Sequence, residues 1–296
     1  MLAGIEAGGT KFNCIIAENP EQVIAEKRIA TTDPEDTIQE VSKFFRRSMQ
    51  QADIELQSIG IGSFGPLDLD PTSPTYGAIT STPKLPWQNF NIKQAIESAL
   101  DIPAVLDTDV NAAALGEYMW GAGKGKHTVL YLTIGTGIGG GIIIQGEPLH
   151  GMLHPEMGHI YLPISSGEKA FQGICPYHSN CFEGLASGPA LQAQWGVKAE
   201  KLAENHPAWI QEAYTIAQAL CNYICILSPQ IIILGGGVMQ QKQLFPLIRS
   251  QVQKLLNGYI QVPSIIEEID SYIVPPRLGS RAGVLGAIGL AQMVNR

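Results

Sequence analysis

Three groups of residues in this chain could do chemistry. The first is Asp107-Thr108-Asp109, where a short apolar run ends and a helical pattern begins. A carboxylate at a strand-to-helix junction lies where the ligand sites of α/β proteins open. Asp109 could take a proton from a substrate hydroxyl there. The plain alternative is that Asp109 only caps the helix, worth about 1 kcal/mol. The second group is His159, Cys175, His178 and Cys181. Cys175-x2-His178-x2-Cys181 puts three ligands in one loop and His159 can add a fourth, an inventory that suits tetrahedral zinc with two sulfurs and two nitrogens. The alternative is a loop with incidental Cys and His. The third group is a pair of turns, Gly8-Gly9-Thr10 and Gly135-Thr136-Gly137. Glycines let backbone N–H groups converge on an anion, and the Thr hydroxyl adds a donor. One such turn could be an ordinary hairpin; two equivalent turns leading two halves of a chain favour phosphate. Glu156 and Glu183, which flank the Cys/His loop, could accept hydrogen bonds from vicinal sugar hydroxyls. Read alone, either could be a surface glutamate.

Other phosphate motifs fail on context. Gly135-Thr136-Gly137-Ile138-Gly139-Gly140 matches G-x-G-x-x-G, but a dinucleotide site needs a helix directly after it. Here Gly141-Ile142-Ile143-Ile144 reads as a strand. Gly125-Lys126 is followed by His127 and is no Walker A loop. The H-R-D and D-F-G signatures of protein kinases are absent.

The elements that must position these groups form two similar halves. Leu2–Ala7, the Gly8-Gly9-Thr10 turn and Phe12–Ala17 read as strand, turn and strand; residues 128–134, Gly135-Thr136-Gly137 and 138–144 repeat them. Internal similarity of this kind precedes any fold assignment. A third strand is expected over 22–29, a helix behind Asp33-Pro34, a strand over 58–64, a helix over 91–100 and a strand over 103–106. A helix follows Asp109. Later come a helix over 208–227, a strand over 230–234 ending in Gly235-Gly236-Gly237, a helix over 241–256 and a small-residue helix over 283–294. Residues 149–183 read as irregular. Cys14, Cys221 and Cys225 fall in apolar patterns and are expected in the core.

Composition narrows the classes. The chain has 296 residues, 45% hydrophobic and 16% charged, with net charge −8. Such a chain is globular rather than disordered, and without a basic cluster it is a poor partner for nucleic acid or an anionic membrane. No apolar run reaches the roughly 18 residues of a membrane span. Five cysteines do not make a disulfide framework. No signal-like start is seen, so the expected location is a reducing cytoplasm.

Taken together, these stretches resemble the ROK family (repressor, open reading frame, kinase), sugar kinases of the actin-like ATPase superfamily. Residues 4–11, 109–117, 133–141 and 154–159, the Cys/His loop through Glu183-Gly184, and Gly235-Gly236-Gly237 carry the resemblance. Within the family the chain is most similar to the bacterial zinc-containing fructokinases, through residues 6–12, Thr82-Pro83-Lys84, Asp107-Thr108-Asp109 and Cys175-Pro176-Tyr177-His178. The resemblance implies the ribonuclease H-like fold of that superfamily, with two α/β domains facing a cleft. The expected domains are 1–115, with the helix at 283–296 packed back on it, and 116–282, with the zinc loop at 154–183.

It further implies ATP-dependent phosphorylation of D-fructose to fructose 6-phosphate with Asp109 as general base. Gly8, Gly9, Thr10 and Lys11 would meet the ATP phosphates from one half, and Gly135, Thr136 and Gly137 from the other. Gly188, Gly235, Gly236 and Gly237 would serve the nucleotide as well. Gly65, Pro66, Thr108, Asp109, Glu156, His159 and Glu183 would lie at the sugar, and His159, Cys175, His178 and Cys181 on a structural zinc. Mg²⁺ would accompany ATP, and the family implies a homodimer. Two departures stand out. Glu6 replaces the Asp of many relatives at a position linked to the Mg²⁺–phosphate network. Thr108 replaces the sugar-contacting Asn of glucokinase-like members, a change compatible with fructose. A kinase for mannose, glucose or an amino sugar, a non-catalytic sugar sensor, and an actin-like ATPase that uses no sugar are the competing functions. The first phosphate turn lies within ten residues of Met1, so no DNA-binding module is expected before it.

Overall fold

The computed structural model describes residues 1–164 and 171–294. Its strands are β1 (Leu2–Ala7), β2 (Lys11–Asn19), β3 (Gln22–Ala30), β4 (Ser58–Ser63), β5 (Ala78–Ile79), β6 (Phe90–Asn91), β7 (Ala104–Thr108), β8 (Thr128–Ile134), β9 (Ile138–Ile144), β10 (Glu147–Pro148), β11 (Ile231–Gly235) and β12 (Ile273–Val274). Its helices are α1 (Pro34–Ala52), α2 (Ile92–Leu100), α3 (Asp109–Trp120), α4 (Phe182–Ala186), α5 (Gly188–Trp195), α6 (Ala208–Leu227), α7 (Leu244–Leu256), α8 (Pro263–Ile266), α9 (Ile269–Tyr272) and α10 (Ala282–Ala291).

The repeat read from the sequence is a repeat of sheets. One sheet has the order β3-β2-β1-β4-β7 and the other β10-β9-β8-β11-β12. Numbered within its own sheet, each follows the order 3-2-1-4-5. β1 and β2 pair antiparallel, while β1, β4 and β7 run parallel. In the second sheet β8, β11 and β12 run parallel. In each case the Gly/Thr turn joins the central strand to its hairpin partner.

The chain divides into two compact units: Met1–Gly125 with Ile143–Pro155 and Arg277–Arg296, and Lys126–Ile142 with Glu156–Pro276. The expected boundary at 115/116 falls inside α3, which continues to Trp120. In the first unit Phe12, Phe45, Ile61 and Trp87 anchor the core. α1 begins at a true N-cap: Asp33 accepts from the Asp36 amide, with Pro34 at the first helical position. α10 is buried on every side and packs on β1, β2, β4 and α3. Gly286 lies so close to the Ala112 carbonyl of α3 that no side chain would fit.

Some expectations shift. The closing helix ends at Ala291 rather than 294, and residues 295–296 of the expected range lie outside the described residues. The same holds for residues 165–170 of the loop expected over 154–183. α4 and α5 occupy residues 182–195, for which no helix was expected. Cys14 is in the core as expected, but Cys221 is only partly buried and Cys225 is exposed. Both lie on the last two turns of α6, where the flanking Ile226 also faces water.

Candidate active site

In the first unit, parallel strands deliver Asp109. β4 and β7 pair Gly62 with Asp107 and Ser63 with Thr108, so β7 keeps its strand geometry through Thr108 and α3 starts at Asp109. Thr108 is the N-cap: its hydroxyl accepts from the Asn111 amide at 3.1 Å. The capping role open to Asp109 is therefore filled by its neighbour. Asp109 Oδ1 takes the adjacent Val110 amide at 2.9 Å. Gly62 makes room for this helix start. A side chain there would stand 2.6 Å from the Ala112 Cβ and 3.5 Å from the Asp109 Cα.

Asp107, 2% exposed, is held from three sides. Its Oδ1 accepts from the Thr108 amide (2.7 Å) and the Asn111 side-chain amide (2.8 Å), and its Oδ2 lies 3.0 Å from His150 Nε2. The Asp107 hydrogen bond raises the His150 pKa; burial works against it and the Asp107 charge adds to it. His150 was not foreseen. It is 43 positions away in an irregular stretch, and the only hint in the sequence was that a buried carboxylate needs a partner.

The Gly65-Pro66 bond is cis. The Pro66 carbonyl accepts from the Thr80 amide (2.8 Å) and hydroxyl (3.1 Å), and the next amide, Leu67, donates to His154 Nε2 at 3.2 Å. These bonds fix the loop that holds Gly65 and Pro66. The first Gly/Thr turn is closed by Gly8 N–H to the Lys11 carbonyl at 3.0 Å. Thr31 braces it through its hydroxyl on the Gly8 carbonyl (2.8 Å) and its amide on the Thr10 carbonyl (3.1 Å). Glu6, on β1, accepts from Asn13 at 2.6 Å. Burial raises its pKa, against the Asn13 hydrogen bond and the charges of Lys11 and Arg28.

In the second unit the predicted nucleotide glycines converge. The Gly188 amide donates to the Gly135 carbonyl at 2.7 Å, and a Cβ on Gly135 would lie 3.5 Å from the Gly237 amide. Gly236 has φ +94° and lies against the Ile134 backbone, a place only glycine takes without strain. Gly235 ends β11. Gly135 N–H closes its own turn on the Gly137 carbonyl at 2.9 Å.

Glu183 is partly spent on this turn: its Oε2 accepts from the Ile138 amide at 2.8 Å. It sits in the first turn of α4, whose N-cap is Cys181. Glu156 is exposed and immediately precedes the short turn Met157–His159. The four proposed metal ligands do come together, all ligand atoms lying within 4.8 Å of one another. Cys181 Sγ is 3.5 Å and Cys175 Sγ 4.0 Å from His159 Nδ1, and Cys175 Sγ is 3.7 Å from His178 Nδ1. A tetrahedron with zinc bond lengths has edges of about 3.3–3.8 Å. Two buried thiols and two imidazoles at this spacing fit such an ion, and the group could hold a metal.

Comparison with known proteins places these features in one family. The ROK family profile matches residues 2–294. A Bacillus subtilis protein is 51% identical over 98% of this chain and 95% of its own length. The fructokinase of Zymomonas mobilis is 41% identical over 97% of this chain and 95% of its own. The crystal structure of a ROK hexokinase from Thermus thermophilus matches with a TM-score of 0.82 and 28% identity, covering 99% of this chain and 98% of that one. The fold is that of the actin-like ATPases, and the chain belongs to the ROK family.

Proposed function

We propose that this chain is an ATP-dependent hexose kinase that phosphorylates D-fructose at its 6-hydroxyl, with Asp109 as general base. The observation that carries this is the position of Asp109. It is the first helical residue after a parallel strand, relieved of capping by Thr108. Family membership and the 41% identity to a fructokinase support the reaction class and the sugar.

In this scheme Asp109 accepts the hydroxyl proton as the sugar oxygen attacks the γ-phosphorus in line. Glu156, His159 and Glu183 orient the sugar together with Gly65, Pro66 and Thr108. Glu183 Oε2 is engaged by the Ile138 amide, so Oε1 is the oxygen it offers. The Thr108 hydroxyl already accepts the Asn111 amide, which leaves it one lone pair and its O–H, a shorter reach and fewer hydrogen bonds for glucose than the Asn of glucokinase-like relatives offers. The turn Gly8, Gly9, Thr10 and Lys11 and the turn Gly135, Thr136 and Gly137 bind phosphates through the backbone N–H groups and Thr hydroxyls that remain once the Gly8 and Gly135 N–H groups have closed the turns. Gly188, Gly235, Gly236 and Gly237 border the adenosine. Mg²⁺, when bound with ATP, offsets negative charge on the phosphates. Positioning and electrostatics of this kind do most of the work in phosphoryl transfer.

His159, Cys175, His178 and Cys181 would hold zinc in a structural role, since four protein ligands leave no open position. Held in this way, His159 and, two residues beyond Cys181, Glu183 would be fixed at the sugar. The enzyme is taken to be a homodimer, as the family implies, and cytoplasmic, as its cysteine usage suggests. Asp109→Asn tests the base. Turnover should fall by about 10²–10⁴, the usual share of a general base, with the melting temperature unchanged. A rate within tenfold of wild type would remove the assignment.

A further inference from the structure

We propose that Lys84 is a catalytic residue of this kinase, a second cation that closes over the Gly8–Lys11 turn onto the terminal phosphoryl group of ATP. The proposal rests on that turn being a phosphate site. Lys84 is brought to the turn by a rigid support. Its amide donates to the hydroxyl of Thr82, a buried residue, at 3.3 Å, and its carbonyl accepts from the Trp87 amide at 2.8 Å. Trp87 is 1% exposed. It packs on Phe12, Phe64 and Phe90 with ring centroids 5.3–5.9 Å apart, and its indole N–H donates to the Thr32 carbonyl at 2.8 Å. Thr31, one residue earlier, is the residue that braces the turn. One network of side chains therefore fixes both the turn and the backbone of Lys84.

The side chain crosses the turn. A Cβ on Gly9 would stand 2.8 Å from Lys84 Cε and 3.9 Å from Nζ. A side chain at position 9 would displace the lysine arm that lies over it. The side chain is half-buried, yet among the described residues no carboxylate or carbonyl takes the ammonium. The stem of Lys84 is covered while its head is left for a ligand or water. What the lysine lies beside is the Gly8–Lys11 turn, assigned above to phosphate, and an ammonium attracts the same kind of group, an anion. With the turn amides below and the ammonium above, a terminal phosphoryl would be gripped on two sides. The charge of Lys84 would act on the equatorial oxygens, where charge is carried through the transition state. The α- and β-phosphates, held by other glycines, would feel it less.

The test compares Lys84→Met, Lys84→Arg and Thr10→Ala. Steady-state kinetics measure turnover against ATP and fructose, and calorimetry measures the affinity for ADP and for a non-hydrolysable ATP analogue. Lys84→Met should lower kcat/KM for ATP by about 10²–10³, the size of effect seen when one transition-state donor is removed. It should weaken the triphosphate analogue at least tenfold while leaving ADP affinity and the fructose KM within about threefold. Lys84→Arg should recover at least tenfold of the loss. Unchanged triphosphate binding and turnover in Lys84→Met overturn the proposal, and so does a loss confined to the fructose KM. The failure of the phosphate-turn assignment looks different: Thr10→Ala would then match wild type in both nucleotide affinities. A crippled Thr10→Ala beside a normal Lys84→Met leaves the turn standing and removes only the lysine.

Discussion

Glu117 allows a prediction whose size can be worked out from the structure. This carboxylate, at the far end of the Asp109 helix, is fully buried. Its Oε2 accepts from the Ala122 amide (2.7 Å) and the Arg277 amide (3.1 Å), and its Oε1 from the Leu278 amide (2.7 Å). It therefore ties the exit of α3 to the segment that enters α10. Glu117→Gln keeps the shape and removes one acceptor. If the amide oxygen serves Ala122 and Arg277, the NH₂ group faces the Leu278 N–H, donor against donor. The cost is one charge-assisted bond, about 1.5–3 kcal/mol, plus a buried unsatisfied donor, about 1–3 kcal/mol. Charge assistance at the other two bonds is lost as well. A total of about 2.5–6 kcal/mol, at roughly 2–4 °C per kcal/mol for a unit of this size, lowers the melting temperature by roughly 5–24 °C. Calorimetry of Glu117→Gln beside the exposed control Glu35→Gln measures it, and hydrogen exchange at Ala122, Arg277 and Leu278 localises it. A shift in Glu117→Gln no larger than that of the control, or protection unchanged at those three amides, would refute the reasoning.

Two further predictions follow from the site. Elemental analysis should find about one zinc per chain, and Cys175→Ser should lose it along with most fructose turnover, because the metal orders the loop that carries Glu183; metal-free protein with full activity would contradict this. His150, whose pKa is raised by Asp107, gives a pH signature. A group with a raised folded-state pKa contributes stability that is complete below its unfolded value, about 6.5, and is lost as pH rises through the folded value. The stability difference between wild type and His150→Gln should therefore be larger at pH 5.5 than at pH 8.5. It should stay under about 1 kcal/mol, because the ring is 41% exposed to water and is screened. A difference that is flat or grows with pH would count against the Asp107–His150 pair.

Much of this molecule could be read in the chain because local signals and tertiary packing agree. Asp33-Pro34 starts α1 where a cap and a proline should, and the helix expected over 208–227 is α6 to the residue. The recurrence of strand, Gly/Thr turn and strand anticipated two sheets of one topology. Asp107-Thr108-Asp109 was ambiguous for a physical reason: Asp and Thr are all good N-caps. Only the pairing of Thr108 with Ser63 on β4 carries the strand far enough to make Thr108 the cap. Residues 182–195 hid their helices behind glycine, serine and proline; the caps are the Cys181 sulfur and the Ser187 hydroxyl. The distant partners, His150 of Asp107 and Arg277 and Leu278 of Glu117, lie 43 and 160 or more positions away, where no periodicity points. The spacing of the Cys/His loop could name its ligands, but only the fold shows that His159 reaches the two thiols. The Lys84 arm over Gly9 is likewise a tertiary contact, across 75 positions.

The central claim is that sugar and ATP meet as substrates, with fructose the preferred acceptor. The most direct test is ADP release with Mg-ATP against fructose, mannose, glucose and N-acetylmannosamine, beside a control without sugar. Release that depends on sugar and is fastest per unit KM with fructose is the predicted result. ATP hydrolysis indifferent to sugar, or none at all, would contradict it.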